Sequence, residues 1–268
     1  MSRKSMRPLV AVAVALAALL AAAPGAQAKK SDELWLRFDN TEPGKSIKHP
    51  VNSGKSHRVV ITVKKAKHGK VIARKAKPTK SRVADFPNYA PGGGAPRAVV
   101  AVLPGGKKDP LNPRKRPFAF GADFRIDEAA IAPRDDGNNL IQRGFYSQAP
   151  QYKIQVDKSY IECRVKGSQG DVFLRSADPV SSKYWYRVSC AVSRAAAGKD
   201  VTLTVNRLTK RGRVVPVETV SENAVLGRVK IAKERPLTIG GRLKDNLSVP
   251  SRVEQFNGRV DNAFFRIN

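Results

Sequence analysis

The sequence predicts an all-β fold, a sandwich of two antiparallel sheets. The clearest sign is FAFGADFRID, Phe118 to Asp127, where apolar side chains occupy every second position. Alternation with a period of two is typical of a strand that covers a core on one side. Similar short stretches follow one another with turn-forming residues between them, and the chain after residue 28 shows no long apolar repeat with the helical period. Strands at this spacing with few helices indicate a sandwich or barrel.

The first segment, residues 1–28, is predicted to be a cleaved secretory signal peptide. It begins with basic residues, Arg3, Lys4 and Arg7, and continues with an apolar run from Leu9 to Ala23 and the small triplet Ala26-Gln27-Ala28. A membrane anchor is the other interpretation, but the run is shorter than the roughly 20 residues that span a bilayer. We therefore expect a secreted, extracellular protein without a transmembrane segment in the mature chain.

The chain is strongly basic. It contains 50 Lys and Arg residues against 22 Asp and Glu residues, a formal net charge of +28. The signal segment has three basic residues and no acidic ones, so the mature charge is 28 − 3 = +25. This excess favours acidic partners such as nucleic acid, anionic glycans, wall polymers or an anionic membrane surface.

Alternation predicts further strands in both halves of the chain, at 33–39, 58–65, 70–76, 97–104, 152–157, 160–167, 184–192, 201–208 and 262–268. Residues 29–116 are rich in loops, since ten of the 18 prolines lie between Pro43 and Pro117. This part could form a separate small domain. We favour one sandwich over residues 29–268 with a basic, loop-rich N-terminal part, because the predicted strand at 33–39 otherwise lacks a partner.

Cys163 and Cys190 are the only cysteines, and each shares a strand face with apolar residues. Both thiols are therefore predicted to point inward from paired strands. In an exported protein this arrangement favours a disulfide over two buried free thiols.

The segment from Lys45 to Arg82 contains 13 Lys and Arg residues and no Asp or Glu. The candidate contacts for an anionic polymer are Lys64, Lys65, Lys67, Lys70, Arg74 and Lys75. The segment contains no aromatic residue on which a base could stack, so nucleic acid is a less favoured partner than a sulfated, phosphorylated or carboxylated polymer. A solvated basic face without a partner is the third interpretation.

The order and spacing of several stretches resemble a known superfamily. PFAFGADFRID, DGNNLIQRG, YKIQVD, IECRVKG, YWYRVSC, VTLTV, LTIGG and FNGRVDNAFF together are similar to the laminin G-like branch of the concanavalin A-like lectin/glucanase superfamily. The resemblance covers residues 117–268 and is poor over 29–116. It implies a jelly-roll of two antiparallel sheets, with ligands at a loop-built rim or on a concave face. The superfamily includes lectins, adhesive modules and glycosidases, so the fold leaves the activity open.

A glycosidase of this superfamily would carry a Glu-x-Asp-x-Glu or Glu-x-Asp-x-x-Glu pattern on one strand, which supplies the two carboxylates about 5 Å apart that retaining hydrolysis requires. No such pattern occurs. The nearest acidic residues are Asp123, Asp127 and Glu128. Asp123 and Asp127 flank Arg125 at period two, which we interpret as a solvated charge ladder on a sheet face. The sequence therefore predicts a protein that is not an enzyme.

A second candidate site is the predicted rim loop PRDDGNNLIQRG, 133–144. Asp135, Asp136, Asn138 and Asn139 place four oxygen-bearing side chains around Gly137. Hard cations such as calcium prefer these ligands, with Asp135 and Asp136 as the metal candidates. An ordinary Asp-Gly turn is the alternative.

We therefore predict an exported, lectin-like, non-catalytic module that binds a glycan or an anionic cell-surface or wall polymer. The alternative is a basic protein that binds nucleic acid or an acidic polymer without sugar selectivity. A glycoside hydrolase is the least favoured of the three functions.

Overall fold

The computed structural model of the chain describes residues 32–55, 60–65, 69–79, 81–90, 95–103, 109–131, 137–145, 147–194, 196–244, 246–250 and 254–268. The predicted signal peptide lies outside the described residues. Within the described ranges, no helix is both long and apolar enough to cross a membrane.

Strands make up 53% of the described chain, and almost none of it is helical. In chain order they are β1 Asp32–Arg37, β2 Val51–Asn52, β3 Val60–Lys65, β4 Ile72–Ala76, β5 Ser81–Asp85, β6 Arg97–Val102, β7 Phe118–Ile126, β8 Asn138–Arg143, β9 Gln151–Asp157, β10 Tyr160–Lys166, β11 Asp171–Arg175, β12 Trp185–Arg194, β13 Lys199–Leu208, β14 Val214–Ala224, β15 Leu237–Ile239 and β16 Gly258–Ile267. A short 3₁₀ helix, Glu128–Ala130, follows β7.

The strands form two antiparallel sheets, as the sequence predicts. The nine-stranded sheet has the order β14-β13-β12-β7-β16-β1-β2, and β5, which carries β4, also pairs with β16. The seven-stranded sheet has the order β11-β10-β9-β8-β15-β6-β3. The predicted two-sheet sandwich is thus confirmed, and strands from before residue 103 enter both sheets.

Strand β16 organises the nine-stranded sheet because its two edges hold three partners. Along one edge it pairs with β7. On the other edge, Arg259 and Val260 pair with β5, while Ala263 to Arg266 pair with β1. A bulge between Asp261 and Phe264 separates the two halves of the strand. Such bulges re-aim side chains and bend the strand, which lets β5 and β1 share one edge.

The apolar core lies between the two sheets. Phe118, Phe120 and Phe124 of β7 are buried against the other sheet, in agreement with the alternation seen in the sequence. The ring of Tyr152 in β9 lies 4.9 Å from that of Phe120 and 5.3 Å from that of Phe265 in β16. Removing these large apolar surfaces from water is the main term that holds the sheets together.

The predicted disulfide is confirmed, with one difference. Cys163 and Cys190 are bonded, and both are fully buried. The sequence predicts that the two cysteines lie on paired strands. In the structure, Cys163 belongs to β10 and Cys190 to β12, and these strands lie in opposite sheets. Because period-two alternation shows only that a side chain faces the core, it could not tell which sheet each strand joins.

The β4–β5 hairpin packs on the outer face of the nine-stranded sheet. Val83 of β5 forms a small buried cluster with Trp185 and Leu208. The Ser81 hydroxyl, at the start of β5, donates to the carboxylate of Asp261 on β16. The hairpin therefore covers a face that the sequence alone assigned to solvent.

The interpretation of Asp123 as part of a solvated charge ladder is therefore wrong. Its side chain is 1% exposed. Arg187 of β12 donates to both carboxylate oxygens, at 2.7 and 2.8 Å, and the Asn262 amide adds a hydrogen bond of 2.8 Å. Asp123 is a buried, paired structural group rather than a surface charge.

Candidate ligand-binding face

The outer face of the seven-stranded sheet carries a group of buried polar side chains. In β9, Tyr152, Ile154 and Val156 enter the core, so the residues between them project from the other face. The same alternation applies to β10 and β11. In β8, a bulge between Asn139 and Ile141 shifts the alternation, so that Asn139 and Gln142 both face outward. We call the set of outward side chains the polar face: Asn139, Gln142, Gln151, Lys153, Gln155, Glu162, Arg164, Asp171, Phe173 and Arg175.

Strand register aligns these side chains in rows across the sheet. One row runs from β11 to β8 through Arg175, Glu162, Gln155 and Asn139. The next row runs from β11 to β15 through Phe173, Arg164, Lys153, Gln142 and Thr238. Directly opposed residues of neighbouring strands have Cβ atoms about 5 Å apart, so each row is a continuous line of contacts.

Hydrogen bonds and ion pairs link side chains within the rows and between them. The Gln155 amide donates to Glu162 Oε2 at 2.5 Å, and Lys153 Nζ donates to Gln155 Oε1 at 2.5 Å. Arg175 Nε lies 3.7 Å from Glu162 Oε1. Arg164 Nε donates to Asp171 Oδ1 at 2.9 Å. These bonds fix the orientation of the side chains before any ligand is present.

The segment that follows β15 forms a wall on one side of the polar face. Asn139 Nδ2 donates to Glu254 Oε2 at 2.8 Å and to Gln142 Oε1 at 2.7 Å. Glu254 also pairs with Arg242 at 3.3 Å. Beyond this wall the outer face becomes apolar, where Leu243 and Val249 pack with residues of β6.

The opposite side of the polar face is open to solvent. Phe173 of edge strand β11 is 49% exposed, although it stands in the same row as buried Lys153. Nearby, the Arg175 guanidinium lies 4.3 Å from the centre of the Tyr160 ring. The polar face therefore has a closed end at Glu254 and an open aromatic end at β11.

Burial changes the acid–base behaviour of the polar face. Lys153 is 5% exposed and Glu162 3%. Burial lowers the pKa of Lys153, although the neighbouring carboxylates of Glu254 and Glu162 oppose the shift. Burial likewise raises the pKa of Glu162, while its hydrogen bond from Gln155 opposes the shift. Charged groups with little hydration interact strongly with whatever contacts them.

Some polar atoms of this face have no hydrogen-bond partner in the described part of the chain. They are Asn139 Oδ1 and both amide atoms of Gln151. Both residues are fully buried. An unpaired buried polar group costs about 1–3 kcal/mol, which a bound hydroxyl group or a water molecule can recover.

The structure separates the residues that the sequence grouped in a rim loop. Residues 138–143 form β8, so the interpretation of 133–144 as one loop is wrong for that part. The Asn138 amide donates to the Ala130 carbonyl at 3.3 Å, and its oxygen accepts the Asn257 N–H at 3.2 Å, inside the protein. Asn139 instead belongs to the polar face.

The metal prediction stays open. Asp135 and Asp136 lie outside the described residues. Among the residues that are described, no group of three or more His, Cys, Asp or Glu side chains is arranged to hold a metal ion. Calcium binding by Asp135 and Asp136 therefore stays a prediction.

Three of the six predicted basic contacts lie on the sheet that does not carry the polar face. Lys70, Arg74 and Lys75 are exposed next to or within β4, which belongs to the other sheet. Arg74 is paired with Asp85 at 3.1 Å. Lys64 and Lys65 end β3, where their side chains are not described, and Lys67 lies outside the described residues.

Comparison with solved structures shows a shared fold. The binding domain of Paraclostridial Mosquitocidal Protein 1 matches with a TM-score of 0.54 and 12% identity, over 88% of this chain and 48% of that chain. The botulinum neurotoxin serotype G binding domain matches with a TM-score of 0.50 and 10% identity, over 87% of this chain and 47% of that one. The chain thus spans about half the length of these structures.

A laminin structure also matches, at a lower TM-score. The LG1-3 region of the laminin alpha2 chain gives a TM-score of 0.44 and 20% identity, over 63% of this chain and 31% of that chain. No protein-family model and no curated protein matches the sequence. At these identities the likeness shows a shared fold alone, a jelly-roll sandwich of two antiparallel sheets.

Proposed function

We propose that this protein is an exported, non-catalytic lectin-like module that binds a glycan through the polar face. The observation that supports this most directly is the row Arg175, Glu162, Gln155 and Asn139, which places one cationic, one anionic and two amide side chains on four neighbouring strands. Sugar hydroxyls both donate and accept hydrogen bonds, so a surface that offers both kinds of partner at fixed spacing suits them.

The open end of the face supplies the apolar part of such a site. Phe173 presents half of its surface to solvent beside Arg164. Binding sites combine an apolar surface with a few fixed polar groups that set orientation. Phe173 would contact the C–H face of a sugar ring, while Arg164, whose row continues into the buried side chains of Lys153 and Gln142, would contact its substituents.

The charge of the whole protein favours an anionic glycan, and the two arginines of the polar face are already paired with Glu162 and Asp171. Arg175, Arg164 and Lys153 lie on neighbouring strands within the two rows. The formal charge of the whole sequence is +28, which attracts acidic ligands over long distances. The matched toxin structures are named as binding domains, and their shared jelly-roll adds support by analogy only.

The bonding of the carboxylates on this face supports binding rather than hydrolysis. Glu162 is held by Gln155 and Arg175, and Asp171 by Arg164. Glu254 is held by Asn139 and Arg242. A glycosidase needs one carboxylate free to attack and another free to transfer a proton. Here the carboxylates are engaged in orienting other side chains.

A glycan array with the purified chain, followed by calorimetry on the best ligand, tests the proposal. We expect Gln155→Ala and Phe173→Ala each to weaken binding at least about tenfold, the equivalent of roughly 1.4 kcal/mol. Thr219→Ala, at an exposed position of β14 in the other sheet, is the control and should bind like the parent. Full affinity in both polar-face variants would show that the glycan binds elsewhere.

A further inference from the structure

Two β-hairpins of the nine-stranded sheet meet at their tips, although more than a hundred residues separate them in the chain. The turn of the β4–β5 hairpin includes Lys77, Pro78 and Thr79, and the turn between β13 and β14 spans 209–213. A Cβ atom at Gly212 would lie 2.5 Å from the Pro78 carbonyl oxygen. Gly212 also has a φ of +79°. Only glycine permits both this backbone conformation and this close approach.

Apolar packing beneath the tips holds the two hairpins together. Val83 of β5, Trp185 of β12 and Leu208 of β13 form a buried cluster. Ala76 and Val214, at the ends of β4 and β14 next to the turns, pack against it. Both hairpins therefore rest on the same support, and the geometry of their tips is fixed by packing.

The joined tips present cationic side chains that are not neutralised within the described residues. The exposed cations are Lys75, Lys77, Lys210, Arg211 and Arg213. None of them has an ion-pair partner in the described part of the chain. Asp39, which is close by, is held by the Arg37 guanidinium at 2.7 Å and accepts the Arg82 N–H at 2.8 Å.

The surface next to these cations is concave. A pocket of about 360 Å³ is lined by Asp39, Lys75, Ala76, Lys77, Ser81 and Arg82. A pocket bordered by two lysines and an arginine can take up a single anionic group from a chain. A linear polymer can place one anionic group in this open depression and others at the β13–β14 tip, so we favour a polymer over a membrane as the partner.

We infer that the tips of the β4–β5 and β13–β14 hairpins together form a binding surface for a linear polyanion that bears phosphate, sulfate or carboxylate groups. This surface belongs to the nine-stranded sheet, whereas the polar face belongs to the seven-stranded one. The two surfaces are independent, and the inference does not rest on the proposed glycan site. The sequence predicts Lys75 as a contact for an anionic polymer, but it does not predict that the β13–β14 turn lies beside it.

The test is the salt dependence of binding to two probes, heparin and long-chain polyphosphate, because they share charge but differ in backbone. The first variant is Lys75→Gln with Lys77→Gln, and the second is Lys210→Gln, Arg211→Gln and Arg213→Gln. The third combines all five changes. The control replaces five exposed cations elsewhere by Gln: Lys115, Lys158, Arg228, Lys230 and Lys233. Control and combined variant have the same net charge.

We expect the slope of log Kd against log salt to fall by about two in the first variant and about three in the second, by analogy with the loss of roughly one unit per phosphate contact on nucleic acids. The combined variant should lose at least about 100-fold in affinity at low salt, while the control keeps a slope within one unit of the parent. The circular dichroism spectrum and the glycan binding of the combined variant should match those of the parent.

Three results would overturn the inference. If the second variant bound like the parent, the β13–β14 tip would not take part and the surface would not be composite. If the combined variant and the control lost affinity equally, the binding would reflect net charge alone. If the protein bound phosphatidylglycerol vesicles but neither polymer, the partner would be a membrane surface instead.

Discussion

Cys163 and Cys190 join the two sheets of the sandwich, with their Cα atoms 6.2 Å apart. They are the only cross-link between layers that otherwise meet through apolar side chains, since the chain contains no other cysteine. The bond closes a loop with a sequence separation of 27 residues. In the chain-entropy description, closing a loop of this size stabilises the native state by about 3 kcal/mol.

We expect Cys190→Ser to lower the free energy of unfolding by about 2–5 kcal/mol, because the unfolded chain gains freedom and a hydroxyl is buried in the core. Urea unfolding of variant and parent measures the difference. The parent should show no reactive thiol until it is reduced. Alkylation of both cysteines in the native, oxidised protein would contradict the prediction.

The carboxylate of Asp261 should make stability depend on pH. It is fully buried next to Asp123, its partners include the Ser81 hydroxyl and the Asn262 N–H, and burial raises its pKa to about 7. The folded protein therefore holds this proton more tightly than the unfolded chain. The contribution of Asp261 to the free energy of unfolding should be largest below about pH 4 and should be lost as the pH rises through 7.

The expected loss is on the order of 4 kcal/mol between about pH 4 and pH 8. Asp261→Asn should remove this dependence, since the amide cannot ionise. Glu222→Gln, at an exposed position of β14, serves as the control. Equal pH profiles for Asp261→Asn and the parent, measured by urea unfolding, would refute the assignment.

Arg187 neutralises Asp123 beneath the β4–β5 hairpin, so its removal should be costly. We expect Arg187→Met to reduce the free energy of unfolding by about 3 kcal/mol, because Asp123 would be left as a buried charge without its cation. Combining it with Asp123→Asn should cost less than the sum of the single changes. Strict additivity in the double-mutant cycle would mean that the two side chains are not coupled.

Lys153 should contribute more to ligand binding than to stability. We expect Lys153→Met to change the free energy of unfolding at neutral pH by less than about 1 kcal/mol, because relief of the buried charge offsets the lost hydrogen bond to Gln155. Glycan affinity should fall at least about tenfold. A large loss of stability with unchanged affinity would indicate a purely structural role.

The same residue predicts a pH effect in the alkaline range. Burial lowers the pKa of Lys153, so the folded protein releases this proton before the unfolded chain does. Its contribution to stability should therefore increase as the pH rises through the lowered pKa toward about 10.4, the value in unfolded chains. Lys153→Met should lack this increase in unfolding experiments between neutral and alkaline pH.

We expect no hydrolysis of β-glucans or related polysaccharides. Asp123 is buried under Arg187, and Glu162 orients Gln155, so neither is placed to act as a free nucleophile or acid. Reducing-end assays on purified protein test this. Turnover that disappears in Glu162→Gln or Asp123→Asn would assign a catalytic role to that carboxylate.

Periodicity was a reliable guide to the fold where strands alternate regularly. β7, β9, β10, β12 and β13 all lie where the pattern predicts them. The sequence does not predict β8, because its bulge lets Leu140 and Ile141 both enter the core and so interrupts the alternation. The sequence does not predict β14 either, because Pro216 lies within it. The structure tolerates this proline because β14 is an edge strand.

The candidate site was harder to predict for a different reason. In YKIQVD and YIECRVK the alternation already assigns Lys153, Gln155, Glu162 and Arg164 to the outward face. An outward polar residue normally indicates solvent, and only the register between strands reveals that these four gather in one buried network. The same limit explains Asp123, whose burial depends on a hairpin that pairs with the far end of the chain.

The pairing of β1 with β16 brings Asp32 opposite Arg266. Residues paired across antiparallel strands have Cα atoms about 5 Å apart. A short peptide could therefore join the two ends of the described sandwich, and the chain could be reopened at the exposed turn around Gly198, between β12 and β13. Such a circular permutant would keep every strand pairing while changing the order in which the strands are synthesised. The protein could then be displayed within a loop of a host protein, with both junctions at neighbouring ends of two adjacent strands in a single sheet.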